Sequence, residues 1–129
     1  MRRKDKKELY DQLRVMGLVR VALGAVLILL PRLSLRFWMG DEESGSSRLK
    51  AAARSLGARD LAIGIGQLTA LDTGTPVRPW VEAAVMSDAA DSANAFLFMK
   101  DVPPLLRLAW IAIPGWYAWI GARYAAELD

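Results

Sequence analysis

The chain contains no cysteine and no histidine, and these two absences remove whole classes of chemistry. No disulfide framework can form, so the redox compartment is not written in the sequence. Thiolate and imidazole ligands are both missing, which excludes a zinc site of the usual kind, an iron–sulfur cluster held by this chain and a His-ligated haem. A Ser-His-Asp or Cys-His nucleophile system is excluded as well. Any chemistry must use carboxylates, arginine, lysine, tyrosine, tryptophan and hydroxyls. A hard cation held by carboxylates is the one metal class left open, and no motif implies a metal or any other cofactor. Helix-turn-helix, RNP-like and glycine-loop patterns are also missing, so the net charge of +3 does not point to nucleic acid. The first apolar stretch runs into Pro31-Arg32-Leu33-Ser34, which offers no small-x-small site of the kind a signal peptidase cuts.

What is present is an unusual mixture. Hydrophobic residues make up 53% of the 129-residue chain, yet charged residues still supply 24%, and mean hydropathy is only +0.19. The apolar residues fall into four blocks, at residues 15–31, 50–71, 80–100 and 103–126. Each is close to the roughly 20 residues a helix needs to cross a bilayer. Pro31 and the turn residues Asp72-Thr73-Gly74-Thr75-Pro76 punctuate the first two. Pro79-Trp80 opens the third, and Pro114-Gly115 predicts a kink in the fourth. Between the first two blocks, Leu33, Leu35, Phe37, Trp38 and Met39 suit an interface, and residues 41–47 read as a solvated, flexible loop. Trp38, Trp80, Trp110, Trp116, Tyr117, Trp119 and Tyr124 lie mostly toward block ends, as in an aromatic belt. Six of the 17 basic residues (Arg2, Arg3, Lys4, Lys6, Lys7 and Arg14) precede the first block, which marks the cytoplasmic side. The pattern predicts an all-α, four-transmembrane-helix bundle. Residues 1–14 form a basic cytoplasmic segment, residues 15–126 form a single membrane domain, and both termini are cytoplasmic. A soluble four-helix bundle is the competing fold.

The first two blocks echo one another at an offset of 40. Residues 14–24 align with residues 54–64, with identities at Arg14/Arg54, Gly17/Gly57, Ala22/Ala62 and Gly24/Gly64. Glycines seven apart share a helix face and admit a neighbouring backbone. Arg20 lies between them on the first helix and Asp60 on the second, so the two helices are expected to pack through these faces.

Ionisable groups at membrane depth are costly, about 2.5–3.5 kcal/mol each on insertion scales, so they should face one another. The interior candidates are Arg20, Arg59, Asp60, Asp88, Asp91 and Asn94, with Glu82 and Arg107 nearer the interfaces. Helical spacing puts Ser87, Asp91 and Asn94 on one face of the third block, with Asp88 beside them. Three readings follow. One is a buried Arg–Asp network that fixes helix register. Another is a polar cavity, with Asp60, Asp88 and Asp91 as candidate general acids or bases and Arg20, Arg59, Asn94 and Ser87 as ligand contacts. The third is a proton or cation path.

Gly57-Ala58-Arg59-Asp60-Leu61-Ala62-Ile63-Gly64, followed by Asp91 in an acidic third block, resembles small uncharacterised bacterial four-helix integral membrane proteins of the DoxX-like kind. The closer resemblance is to a group whose second helix carries G-x-R-[DE]-L-x-x-G. The resemblance implies a four-helix bundle in the bacterial cytoplasmic membrane. DoxX-like proteins are associated with quinone- or thiol-linked redox complexes, and this chain lacks the cysteine and histidine for a redox role of its own. The expected partners are the lipid bilayer, a second copy or a larger membrane complex, and a lipophilic small molecule. Three functions fit: a membrane subunit or lipophilic-ligand-binding bundle, a small enzyme that isomerises, cyclises or opens an epoxide in a terpenoid-like substrate, and a proton- or ion-coupled transporter.

Overall fold

A computed structural model describes residues 2–128, with nothing stated for the side chain of Glu43. The described residues are helical and contain no strand. In chain order the helices are α1 (Arg3–Leu29), α2 (Pro31–Met39), α3 (Asp41–Ser44), α4 (Ser47–Thr73), α5 (Arg78–Phe98) and α6 (Pro104–Glu127). The contacts divide the chain into two compact units, one ending at Val77 and one starting at Arg78. Each is a helical hairpin, α1 with α4 and α5 with α6.

The four long helices lie where the apolar blocks predict them, but α1 begins far earlier. Residues 3–14 are not a separate tail. They contain no glycine or proline and are mostly lysine, arginine, glutamate, glutamine and leucine, which lose little rotamer freedom in a helix. Leu9 and Leu13 are buried, Leu13 completely, so the packed face of α1 extends into the charged segment. Pro31 does end α1, as expected, but it also starts α2, at the helix position where its missing N–H costs nothing. Residues 41–47 are not an extended loop either. Asp41–Ser44 is one helical turn, in which the buried Ser44 hydroxyl donates to the Asp41 carbonyl at 2.7 Å. Ser46 then caps α4 by accepting from the Leu49 N–H at 3.3 Å. At its other end α4 stops at Gly74, whose φ of +70° is left-handed and open to glycine at no steric cost.

In the second unit α6 runs through Pro114 as one helix. Proline has no N–H for the carbonyl four residues back, and its ring forces that turn open, so donors must come from elsewhere. Pro114 removes the helical donor of the Trp110 carbonyl, and Ser92 of α5 donates to the next carbonyl of that turn, Ile111, at 2.7 Å. Gly115 makes room for it: a Cβ there would sit 3.1 Å from Ser92 Oγ. Gly121 serves the same purpose further along α6, where a Cβ would meet Val85 at 2.8 Å. The hairpin is fastened at both ends by arginine. Arg107 donates to the carbonyls of Ala95 and Phe96 in the last turn of α5, the former shared with the Met99 N–H at 3.3 Å. Arg78 donates to the Leu128 carbonyl at 3.3 Å.

Ser92→Ala should therefore destabilise α5·α6 by about 1 kcal/mol, and the loss should shrink in a Pro114→Ala background, where the turn that the proline ring holds open can close and bring the Gly115 N–H onto the Ile111 carbonyl. Thermal unfolding of the single and double variants checks this. Equal losses in both backgrounds would dissociate Ser92 from the proline.

Candidate functional site

The α1·α4 hairpin is antiparallel, as its pairings show: Arg14 with Asp72, Arg20 with Asp60, and Arg54 with the Ile28 carbonyl. The two helices meet through the glycines that the sequence echo singles out. A Cβ on Gly24 would lie 2.6 Å from the Gly57 carbonyl oxygen and 2.7 Å from the Leu61 nitrogen. A Cβ on Gly57 would lie 2.6 Å from the Gly24 carbonyl oxygen. Both obstacles are backbone, so neither helix can yield without moving away. One turn or more along, a Cβ on Gly64 would lie 3.0 Å from the Gly17 carbonyl oxygen and 2.8 Å from the Val21 side chain, and one on Gly17 would lie 3.0 Å from the Leu68 side chain.

This arrangement is locally two-fold. The echo makes Gly17 the counterpart of Gly57 and Gly24 the counterpart of Gly64, and the contacts are Gly24 on Gly57 and Gly17 on Gly64. Exchanging the helices therefore maps one contact onto the other. Arg20 and Asp60 are counterparts too, and they lie at the centre, between the two glycine contacts. Arg20 Nη1 donates to Asp60 Oδ1 at 3.0 Å, with the two side chains only 11% and 14% exposed. Arg59 Nη2 reaches the same oxygen at 3.3 Å. A single carboxylate thus receives two guanidinium groups in a largely desolvated position, where charge-assisted bonds are strong.

Of the residues predicted for a site, Arg20, Arg59 and Asp60 come together here. Ser87, Asp88, Asp91 and Asn94 lie along α5 in the other unit. Ser87 and Asp88 are buried, Asp91 is half-buried, and Asn94 is exposed. The expectation that Asn94 is interior therefore does not hold. It sits beside the buried Ala95, just outside the face that packs. Among the described residues, no three acidic side chains are grouped as a metal ion would need. The Ser87 hydroxyl has no hydrogen-bond partner among the described residues.

Two further residues bond across the α1·α4 seam without having been singled out as interior candidates. Gln67, 3% exposed, donates from Nε2 to the Leu13 carbonyl at 2.6 Å. Arg54 donates to the Ile28 carbonyl near the end of α1 at 3.3 Å. Both were findable. Gln67 lies three residues past Gly64 on the glycine face, and Arg54 is the repeat counterpart of Arg14, the residue paired with Asp72.

Breaking one side of a buried pair costs about 3–5 kcal/mol, whereas replacing both sides by apolar residues is often nearly neutral. Asp60→Leu alone should strongly destabilise the hairpin, and Arg20→Met with Asp60→Leu should recover most of the loss in chemical denaturation. Overpacking should rank by what the new Cβ meets: Gly24→Ala and Gly57→Ala should cost at least about 1–3 kcal/mol each, and Gly17→Ala, which meets only the Leu68 side chain, clearly less. Equal costs at all glycines would argue against backbone contact. No family model, curated protein or solved structure matches this chain, so a functional reading has to come from its own residues.

Proposed function

We propose that the chain is an integral membrane protein whose four long helices cross the bilayer, and that it acts as a non-catalytic subunit of a membrane assembly. The observation that carries this reading is the outward face of α1. An 18-residue stretch of that helix has a mean hydropathy of 1.8, yet only 17% of it is buried within the protein. The core helix of a soluble protein would hide such a stretch, because exposed apolar area costs about 25 cal/mol per Å² in water. A bilayer removes that cost. The second unit supports the same reading: Met86 is 73% exposed, Phe98 74% and Leu105 81%.

Alone among the described helices, α1 meets a strict test of length, hydropathy and charge count for a span. Helices α4, α5 and α6, with 27, 21 and 24 residues, are long enough to cross, but charge along α4 and α5 and the aromatic residues and Pro114 of α6 lower their hydropathy. The pairings above reduce what that charge costs in α4, since Asp60 is paired with Arg20 of α1 and with its neighbour Arg59. The resemblance of residues 57–64 to DoxX-like membrane proteins points the same way. With the basic N-terminal turns of α1 inside, four crossings return the C-terminus to the cytoplasmic side.

The subunit role rests on how Asp60 is held. A general base needs a free lone pair within reach of a substrate proton. Asp60 instead spends one oxygen on two guanidinium groups inside a glycine seam, which suits a group that fixes register.

The membrane reading is checked by alkaline carbonate extraction of cell membranes. The chain should stay in the pellet and be released only by detergent, and release without detergent would overturn the reading. The subunit role is checked by purifying the chain in mild detergent. A stable assembly with itself or with another membrane protein is expected, and a monomer that turns over a lipophilic substrate, with the turnover lost in Asp88→Asn or Asp91→Asn, would replace that role with an enzymatic one.

A further inference from the structure

A cleft of about 640 Å³ opens in the first unit where α1 ends, α2 begins and the first turns of α4 come past. Among the described residues Arg32, Arg36, Lys50 and Arg54 line it, opposed by the carboxylate of Asp41. Asp41 is already engaged by Arg36, Oδ1 to Nε at 2.7 Å, and Arg54 is held by the Ile28 carbonyl. Arg32 and Lys50 have no hydrogen-bonding or ionic partner among the described residues. Leu29, Leu30, Pro31 and Leu33 make an apolar wall, and Ser44, whose hydroxyl is turned onto the Asp41 carbonyl, completes the described lining.

Four cations converging on one cleft repel one another, and two of them have no counter-charge among the described residues. An anion with several acceptor oxygens supplies that charge, and a phosphate does so best because arginine can bind it through paired N–H groups. The apolar wall asks for more than a free ion. The leucines continue straight from the cations, so the ligand should carry hydrocarbon beside its charge. The position in the fold agrees with this. The cleft lies at the end of α1 opposite the basic N-terminal turns, and α2 exposes Leu33 and Phe37 there, at 57% and 76%. On a membrane protein such a helix lies at headgroup depth, with its apolar side in the acyl boundary.

We infer that this cleft binds the phosphate of an anionic phospholipid in the leaflet opposite the N-terminus, with an acyl chain along Leu29, Leu30 and Leu33. The inference rests on the membrane reading of the preceding subsection. The two can fail separately, because extraction without detergent tests that reading and lipid preference tests this one.

The test is native mass spectrometry of the full chain purified in mild detergent and titrated with equimolar phosphatidylglycerol and phosphatidylcholine. One phosphatidylglycerol should bind in preference, about tenfold, as expected for a few close cations acting on one anionic headgroup. Arg32→Gln with Lys50→Gln should bring the two lipids to near parity, with helix content by circular dichroism unchanged. Arg48→Gln, an exposed cation that does not line the cleft, should leave the preference intact. Wild-type protein that takes both lipids equally would overturn the inference, as would a preference that survives the double variant. A parallel titration with inorganic phosphate separates the two sources of the same chemistry: saturable phosphate binding without lipid preference would assign the cleft to a soluble anion and remove the lipid.

Discussion

The distance between the α1 and α4 backbones at Gly24 and Gly57 governs the first unit. Each glycine stands where the other helix's carbonyl would occupy a methyl group. With the backbones that close, short reach suffices for everything else along the seam: Gln67 reaches the Leu13 carbonyl, Arg54 the Ile28 carbonyl and Arg20 the Asp60 carboxylate. Were the helices spread by even one methyl layer, these bonds would lengthen beyond use. The buried carboxylate and its arginine would then carry the desolvation cost with little attraction to offset it. The ion pair is therefore best regarded as a dependant of the glycine contact, which it sharpens by penalising any slip in register.

The second unit solves a related problem with different residues. Its helices also approach through glycine, at Gly115 and Gly121, but its polar bonds run from side chains to backbone carbonyls: Ser92 to Ile111, Arg107 to Ala95 and Phe96, and Arg78 to Leu128. Such bonds reach acceptors at helix ends and in the turn before a proline. They need no acidic partner, which suits a helix such as α6, where Leu108 to Ala122 carries no charge.

The seam of the first hairpin was legible in the sequence because it is written twice. The forty-residue echo named the four glycines, and placing Arg20 and Asp60 between them on the same face needed only helical periodicity. The helical state of residues 3–14 was hidden by their charge. A run of basic residues reads as a solvated tail unless Leu9 and Leu13 are noticed as the same face continued beyond Gly17. Helix α2 was hidden by Pro31, whose role as terminator masked its equally ordinary role as first helical residue. Arg59 and Asp60 adjoin in the sequence and share a carboxylate oxygen in space, so that portion of the site could be read directly. The cationic cleft could not, because its basic residues come from two stretches around residues 32–36 and 50–54 that only the turn at α3 brings together. Asn94 failed for a finer reason. Faces of a helix carry no sharp borders, and a residue one position from the buried Ala95 can lie outside the packed face.

The local two-fold between α1 and α4 has a consequence for what these helices decline to do. A surface that is its own mirror under rotation can in principle clasp a copy of itself, so α1 of one molecule could meet α1 of a neighbour through the same glycines. That union would set Arg20 against Arg20 at its centre, and the corresponding union of two α4 helices would set Asp60 against Asp60. Like charges in so dry a position repel strongly. Only the mixed pair is neutral. One opposite-charge position on an otherwise self-complementary surface thus selects the α1·α4 pairing over α1 with α1 and α4 with α4.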